Sequence, residues 1–353
     1  MPSCCSWALS ALRFTVNLPQ PGDRMGIIAD SSVCKRRLVQ REGIMCGIVG
    51  FLAKRGGTDR PVGQTILTLL QALSCRGPDS AGVALFDSLD EWRVRVSVPG
   101  DRDPDATAAA LGALGVVVQR HYRTGVYDAL LGSGAEAGTL EARIQQRLPG
   151  TEVICLGRRL NLFKQVGSPD QLEATYRISA LRGSHGIGHT RLSTESRVDL
   201  SHSQPFWAHG VPDLATVHNG HITNYHKLRR RYEQKGYHFF TENDSEVIGV
   251  YLRDRLAAGL TLEDALRSSL DDFDGSFSYL AASSNCLAYV KDRFGFKPLV
   301  VAETDEFVAI ATEEIALRKA LGSDFVAREP APGTMAVWAQ AQLSHADTTC
   351  LST

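Results

Sequence analysis

Seven residues, Met45 to Phe51 (MCGIVGF), constrain this chain more than any other stretch: a cysteine follows a methionine and opens a short, β-branched apolar run. The run from Gly47 to Phe51 is apolar without clean alternation, which predicts a strand buried inside a fold. If Met45 is removed, Cys46 carries its own α-amine beside its thiol, so one residue holds both a nucleophile and a base. A thiol ordinarily titrates near about 8.5 and an α-amine near about 8, so some neutral amine is available at neutral pH to take the thiol proton. A disordered terminus could not use such a pair, whereas a buried strand would hold it still. The plain alternative for Cys46 is a small core residue, and other stretches have to decide between the two.

Composition narrows the classes. The 353 residues allow one large domain or two small ones. Their 38 basic and 39 acidic side chains nearly cancel, which gives no basic surface for nucleic acid or an anionic membrane. No apolar run approaches a membrane span. The eight cysteines are scattered and none form C-x-x-C, so a zinc or iron–sulfur site within this chain has no support, and a reduced, cytoplasmic compartment is expected. Residues 1–45 read as an extension. Trp7 to Val16 is broken by Arg13 and has no basic residue ahead of it, a poor signal peptide. A propeptide, a targeting segment and an unused upstream start remain open, the last favoured because Met45 directly precedes Cys46.

Along the rest of the chain, Ile66, Leu69, Leu70 and Leu73 recur at helical spacing over Val62 to Ser74, ahead of Arg76-Gly77-Pro78. Strands are expected at Gly82 to Phe86 and, wet on one side, from Trp92 to Val98. The stretch of about 99–181 reads as an insertion: an alanine-rich helix from Asp105, a glycine-rich break, a second helix, a strand Val153 to Leu156, and a helix capped by Ser168 with Pro169 and Gln171 behind it. Short strands Gly186 to Leu192 and Leu214 to His218 follow, then helices Ile222 to Gln234, Ser245 to Ala257 and Leu262 to Asp272. Five further strands end with Thr334 to Ala339. Runs of strands separated by helix pairs imply sheets with helices on their outer faces. The boundaries expected are a main domain over 46–340 and a tail over 341–353.

Several constellations could carry chemistry. Arg76, in RGPDSAG, sits in a turn at a helix end. Arg191, in GHTRLST, ends a strand and offers a bidentate clamp for a carboxylate. In HNG, the Asn219 amide and the Gly220 N–H are suited to a developing oxyanion if exposed on a tight turn; the same tripeptide is also an ordinary turn signal. Asp244, in ENDSEVI, falls near a helix N-terminus, as a cap or as an acceptor for a substrate ammonium. Seven histidines lie between His185 and His226, but their spacing lacks the helical HExxH pattern, so structural histidines are preferred and no metal is expected. No Walker loop or GxGxxG opens a helix.

Taken together, MCGIVGF, RGPDSAG, GHTRLST, HNG, ENDSEVI and DRFGFKPL, in this order from Cys46 to Leu299, resemble a class II, N-terminal-nucleophile glutamine amidotransferase. The resemblance implies an α+β fold, a four-layer αββα sandwich with two antiparallel sheets. It also implies Cys46 as nucleophile with its own amine as base, Asn219 and Gly220 as the oxyanion donors, Arg191 on the glutamine α-carboxylate and Asp244 on its α-ammonium. Thr194 would line the same pocket, and Arg76 would support the loop at the nucleophile. A glutamyl thioester would form on Cys46 and be hydrolysed.

Family enzymes usually join this glutaminase to an acceptor domain, and none follows Pro332-Gly333 here, so a separate polypeptide is expected to supply it. The RLST, QPF and HNGHITN stretches are similar to the pattern of glutamate synthases, and the length with an insertion resembles the amidotransferase subunit of N-methylglutamate synthase. That implies separate glutamate-synthase-like partners, which would carry any FMN or iron–sulfur cluster, and no cofactor in this chain. Two departures stand out: Leu192 replaces an aromatic residue, and Glu195 stands where sugar-amidating members have histidine. A non-catalytic scaffold whose extension blocks the amine, a different acceptor synthase, and an amidase for other amides remain as alternatives. The last is disfavoured by Arg191 and Asp244, which together read an amino-acid head group.

Overall fold

The computed structural model describes residues 46–54, 61–87, 91–98, 103–123, 125–132, 137–192 and 198–340. Two antiparallel sheets form its centre. The seven-stranded sheet holds β1 (Gly47–Ala53), β2 (Ser80–Phe86), β7 (Leu160–Val166), β8 (His185–Arg191), β13 (Val300–Glu303), β14 (Phe307–Ala311) and β15 (Ala327–Arg328), in the order β15-β13-β14-β1-β8-β2-β7. The five-stranded sheet holds β9 (Phe206–Trp207), β10 (Ala215–Ile222), β11 (Gly275–Ala282), β12 (Cys286–Lys291) and β16 (Thr334–Ala339), in the order β16-β12-β11-β10-β9. Both are antiparallel throughout.

The alternation of side chains along β1 shows why its sequence does not alternate. Ile48 and Leu52 turn toward the second sheet and pack with Ile187, Val217, Leu280 and Leu287. Val49 and Phe51 turn the other way, against Ile66, Leu69 and Leu70 of α1 (Val62–Ala72) and Leu317 of α8 (Glu314–Leu321). Both faces are buried, so both parities must be apolar. Gly50 is small because a Cβ there would meet the Leu280 and Leu287 side chains of the facing sheet at 3.1–3.2 Å. On the far side of the five-stranded sheet, Phe277, Tyr279, Ala288 and Val290 pack on Tyr232 of α5 (Tyr225–Gln234), Ile248 and Tyr251 of α6 (Glu246–Ala257) and Leu266 of α7 (Leu262–Asp272). Helix, sheet, sheet, helix is the expected four-layer α+β sandwich.

The inserted stretch is drawn differently from its expectation. A third antiparallel sheet, in the order β4-β5-β3-β6, is built from β3 (Trp92–Ser97), β4 (Val116–Arg123), β5 (Val126–Gly132) and β6 (Val153–Gly157). Two helices accompany it, α2 (Pro104–Gly112) and α3 (Ala137–Arg147). The departure from the main sandwich thus begins at β3, before residue 99. It ends before β7, which pairs with β2 in the seven-stranded sheet. The capping box on Ser168 and Gln171 opens α4 (Pro169–Tyr176), which packs against β7 rather than inside the insertion. β3 is not wet on one side either: Arg95 is buried, ion-paired to Asp128, with its guanidinium 4.3 Å from the Phe163 ring centroid. Among the described residues no helix is long and apolar enough to cross a membrane.

Candidate active site

Cys46 lies immediately before β1 and has the parity of Ile48 and Leu52, the face toward the five-stranded sheet. Its Sγ points at the Leu192 carbonyl, 3.7 Å away, just beyond the end of β8. The start of β1 is pinned on the other side by Thr312, whose Oγ1 accepts the Ile48 N–H at 2.8 Å and whose own N–H donates to Ile48 O at 3.0 Å. Burial pushes the Cys46 thiol above its ordinary pKa, while backbone hydrogen bonding at Leu192 and the nearby Arg191 and Arg76 charges pull it back down.

Across the inter-sheet gap, Asn219 presents its side chain to the same residue: Nδ2 donates to the Cys46 carbonyl at 2.9 Å. A primary amide has two N–H donors, so one can anchor to Cys46 O while the second serves a substrate oxygen beside the thiol. HNG does not form the turn that was expected. His218, Asn219 and Gly220 all lie within β10, which runs on to Ile222. Gly220 has φ +131°, and a Cβ there would sit on the Ser276 carbonyl oxygen, well inside van der Waals contact. Only glycine fits at that point.

The ladder also shows where the Gly220 N–H points. Opposite it, Phe277 gives its N–H to Asp292 Oδ2 at 3.0 Å and accepts the Asp292 N–H, so its polar groups face β12. Alternation in an antiparallel pair then turns the polar groups of His218, Gly220 and Ile222 to the opposite edge. There His218 N–H meets Gln204 Oε1 at 2.5 Å and Ile222 N–H meets Asp244 Oδ2 at 2.9 Å. The Gly220 N–H lies between these two, on the same outer edge of β10.

Arg191 ends β8, on the parity of Ile187, and is buried. Its Nη1 donates to His202 O at 2.9 Å. Burial lowers its pKa, and the Cys46, Asp199 and Asp79 charges oppose that shift. Gly77 lets the preceding loop close on this strand, since a Cβ would lie about 2.5 Å from the Thr190–Arg191 backbone. Asp79 N–H then donates to Arg191 O at 3.0 Å. Arg76, from the same loop, is ion-paired to Glu313. It acts on Cys46 through its charge, and the structure gives it no direct bond to that residue.

Asp244 is not the helix cap allowed for it. The N-cap of α6 is Ser245, and the Asp244 carboxylate turns back to β10, with His221 Nδ1 3.6 Å from Oδ2 and His218 Nδ1 3.8 Å from Oδ1. The structure therefore brings Asn219 and the charges of Arg191 and Arg76 to Cys46, and sets Gly220 and Asp244 along the outer edge of β10. Thr194 lies outside the described residues. Among the described residues no three histidine, cysteine or acidic side chains are grouped to hold a metal ion.

Sequence reasoning missed Thr312, Glu313, Gln204 and Ser245. Thr312 and Glu313 sit far from any motif, and only the fold brings Thr312 to Ile48 and Glu313 to Arg76. Gln204 lay in the QPF stretch and Ser245 in ENDSEVI, where a buried polar residue next to known motif positions was the available signal.

Comparisons with known proteins identify a family. The family model described as "Glutamine amidotransferase domain" matches residues 189–319. A candidate glutamine amidotransferase of Methanothermobacter thermautotrophicus is 36% identical over 309 residues, 83% of this chain and 99% of the relative. The glutamine amidotransferase-like protein GlxB of Rhizobium meliloti is 34% identical over 304 residues, 83% of this chain and 98% of the relative. Among solved structures, the glutamine phosphoribosylpyrophosphate amidotransferase from B. subtilis superposes with a TM-score of 0.56 over 83% of this chain and 47% of its own length, at 20% identity, a likeness of fold.

Proposed function

The chain belongs to the class II glutamine amidotransferase family, and on that premise we propose that it hydrolyses the side-chain amide of glutamine through Cys46. The observation that carries this reading is the 2.9 Å bond from Asn219 Nδ2 to the Cys46 carbonyl, which fixes an amide donor beside the nucleophile. With Cys46 as the first residue, its α-amine takes the thiol proton as sulfur attacks the amide carbon. The Asn219 amide and the Gly220 N–H stabilise the oxyanion that forms. The protonated amine then returns the proton to the departing nitrogen, releasing ammonia and leaving a glutamyl thioester on Sγ. Water, deprotonated by the same amine, hydrolyses the thioester to glutamate and restores the thiol.

Arg191 holds the α-carboxylate and Asp244 the α-ammonium of the substrate, so the two charges of the amino-acid head group fix where its side chain reaches. Arg76 sets the charge at the nucleophile, and the likeness of the GHTRLST stretch to the family pattern supports Thr194 as a further substrate contact. The finer assignment is a glutaminase that supplies ammonia or the glutamyl group to separate glutamate-synthase-like subunits, as in N-methylglutamate synthase. The RLST, QPF and HNGHITN stretches support it. Any FMN or iron–sulfur chemistry then belongs to those partners.

The test is protein prepared to begin at Cys46, incubated with glutamine, with glutamate and ammonia measured against asparagine and γ-glutamyl methylamide as competing substrates. Equal glutamate and ammonia from glutamine, with asparagine inert, is the expected result. Absence of both products would return Cys46 to a core residue and favour the scaffold reading. For the finer assignment, a complex reconstituted with its synthase subunits should form N-methylglutamate from methylamine, and glutamate alone would count against it.

A further inference from the structure

Among the described residues, the strand that carries the proposed oxyanion donors has no strand partner on its outer edge beyond Thr216. β9 pairs with β10 only at Ala215 and Thr216, opposite Trp207 and Phe206. Two residues further along β10, the next outward-facing N–H and C=O belong to His218. There the chain preceding β9 has turned away, and a side chain takes its place. Gln204 Oε1 accepts the His218 N–H at 2.5 Å, and Gln204 Nε2 donates to the His218 carbonyl at 3.1 Å. This is the exchange of two hydrogen bonds that a neighbouring peptide would make, performed by one side-chain amide.

The same Nε2 lies 3.0 Å from Ser245 Oγ, which is 2.8 Å from His218 Nδ1 and 3.5 Å from Asp244 Oδ1. Gln204, His218 and Ser245 are 5%, 3% and 2% exposed. Buried polar groups of this kind are worth most when every partner is present. The Gln204 backbone is fixed as well: its carbonyl lies over Gly82 of β2, where a Cβ would collide with it. One residue therefore ties β2 of the first sheet to β10 of the second and to the loop that carries Asp244.

We propose that Gln204 is a positioning residue for glutamine hydrolysis: its amide stands in for the missing strand at His218. It ends the ladder one rung before Gly220, so that the Gly220 N–H stays on the outer edge outside the ladder and the Asn219 amide faces Cys46, while Asp244 keeps its place through Ser245. This rests on the glutaminase reading above and adds the residue that sets its geometry. Without the Gln204 amide, the His218 N–H and carbonyl lose their partners in a dry interior, and the strand must shift or admit water to satisfy them. A shift of about 1 Å at the donors is enough to lower turnover by about 100-fold.

The experiment compares wild type, Gln204→Leu and Gln204→Glu, each beginning at Cys46. Active sites are counted by burst release, and kcat, KM and the rates of alkylation by 6-diazo-5-oxo-norleucine and by iodoacetamide are measured. For Gln204→Leu we expect kcat per active site to fall 10- to 100-fold and KM for glutamine to rise several-fold. Labelling by the diazoketone should slow in parallel, while iodoacetamide, which needs neither the oxyanion donors nor Asp244, should react within 3-fold of wild type. Gln204→Glu keeps the acceptor for His218 N–H and should recover part of kcat; it also carries the test if the leucine variant does not fold.

A merely structural Gln204 would lower the active fraction and leave kcat and KM per active site unchanged, and that outcome overturns the proposal. Parallel loss of diazoketone and iodoacetamide reactivity would overturn it too, because the defect would then lie at the thiol. Wild type without glutamine turnover and without selective diazoketone labelling would instead strike the glutaminase reading, and this proposal with it.

Discussion

β1 and β10 face one another across the sandwich and each brings one half of the site, but they are finished in opposite ways. β1 has strands on both sides, β14 and β8, and its first rung is closed by Thr312 at Ile48. β10 has a full partner in β11, while its other edge pairs with β9 at Ala215 and Thr216 and beyond them meets the side chains of Gln204 and Asp244. A nucleophile profits from the first arrangement, because Cys46 must not move relative to the bond it attacks. An oxyanion needs the second, because a peptide N–H already engaged in a ladder cannot bind a substrate oxygen. The inserted sheet gives a second contrast: it carries none of the site residues, and its buried charge, Arg95, answers to Asp128 alone among the described ion pairs.

The largest effect should come from the open edge. Asn219→Ala removes a preorganised donor and should lower kcat for glutamine by about 10²- to 10³-fold with little change in KM, measured by glutamate release. If KM rises instead and kcat holds, the amide reads the substrate head group and the two strands do not divide the work as described.

Arg95→Met separates the insertion from the site. It leaves Asp128 without its partner in a mostly buried place, and breaking such a pair should cost about 3 kcal/mol of stability, read by denaturant titration. The kcat per active site should stay at wild type. A loss of turnover comparable to that of Asn219→Ala would show that the inserted sheet acts on the catalytic strands.

Arg191→Ala, on the side of β1, should raise KM for glutamine by roughly 10- to 100-fold, the size of a lost charge-assisted hydrogen bond or two. The iodoacetamide rate at Cys46 should change far less. An unchanged KM would remove Arg191 from the carboxylate.

A pH dependence is shared by both sheets. Burial holds His185 at about 4 and His189 at about 3, on the strand next to β1, and lowers His218 on β10. In the unfolded chain each returns to about 6.5. Between about pH 6.5 and those folded values the unfolded state binds more protons, so stability declines as pH falls. Each histidine contributes about 1.4 kcal/mol per pH unit within that window. Denaturation at pH 7 and pH 5 should show the loss, and His189→Asn should reduce the slope by about one proton. An unaltered slope would mean that His189 is protonated in the folded protein.

How much of this was legible in the chain follows from where each interaction comes from. The two-sided burial of β1 is written in residues 47–53 themselves, because period and composition are local. The capping box at Ser168 was readable for the same reason. HNG was misplaced as a turn because glycine serves turns and strained strand positions alike, and only the Ser276 carbonyl on the neighbouring strand distinguishes them. β4 and β5 were missed in a stretch whose register partners are each other. The roles of Gln204, Thr312 and Glu313 depend on contacts between residues 14, 264 and 237 positions apart, which no local pattern encodes.

The central claim is that Cys46 is a nucleophile presented to a bound glutamine side chain. Intact mass, with peptide mapping, of the protein beginning at Cys46, before and after 6-diazo-5-oxo-norleucine, tests it directly. The account predicts one adduct per chain, located on Cys46 and prevented by excess glutamine. An unmodified Cys46, or an adduct on Cys155 or Cys286 that glutamine does not prevent, would contradict it.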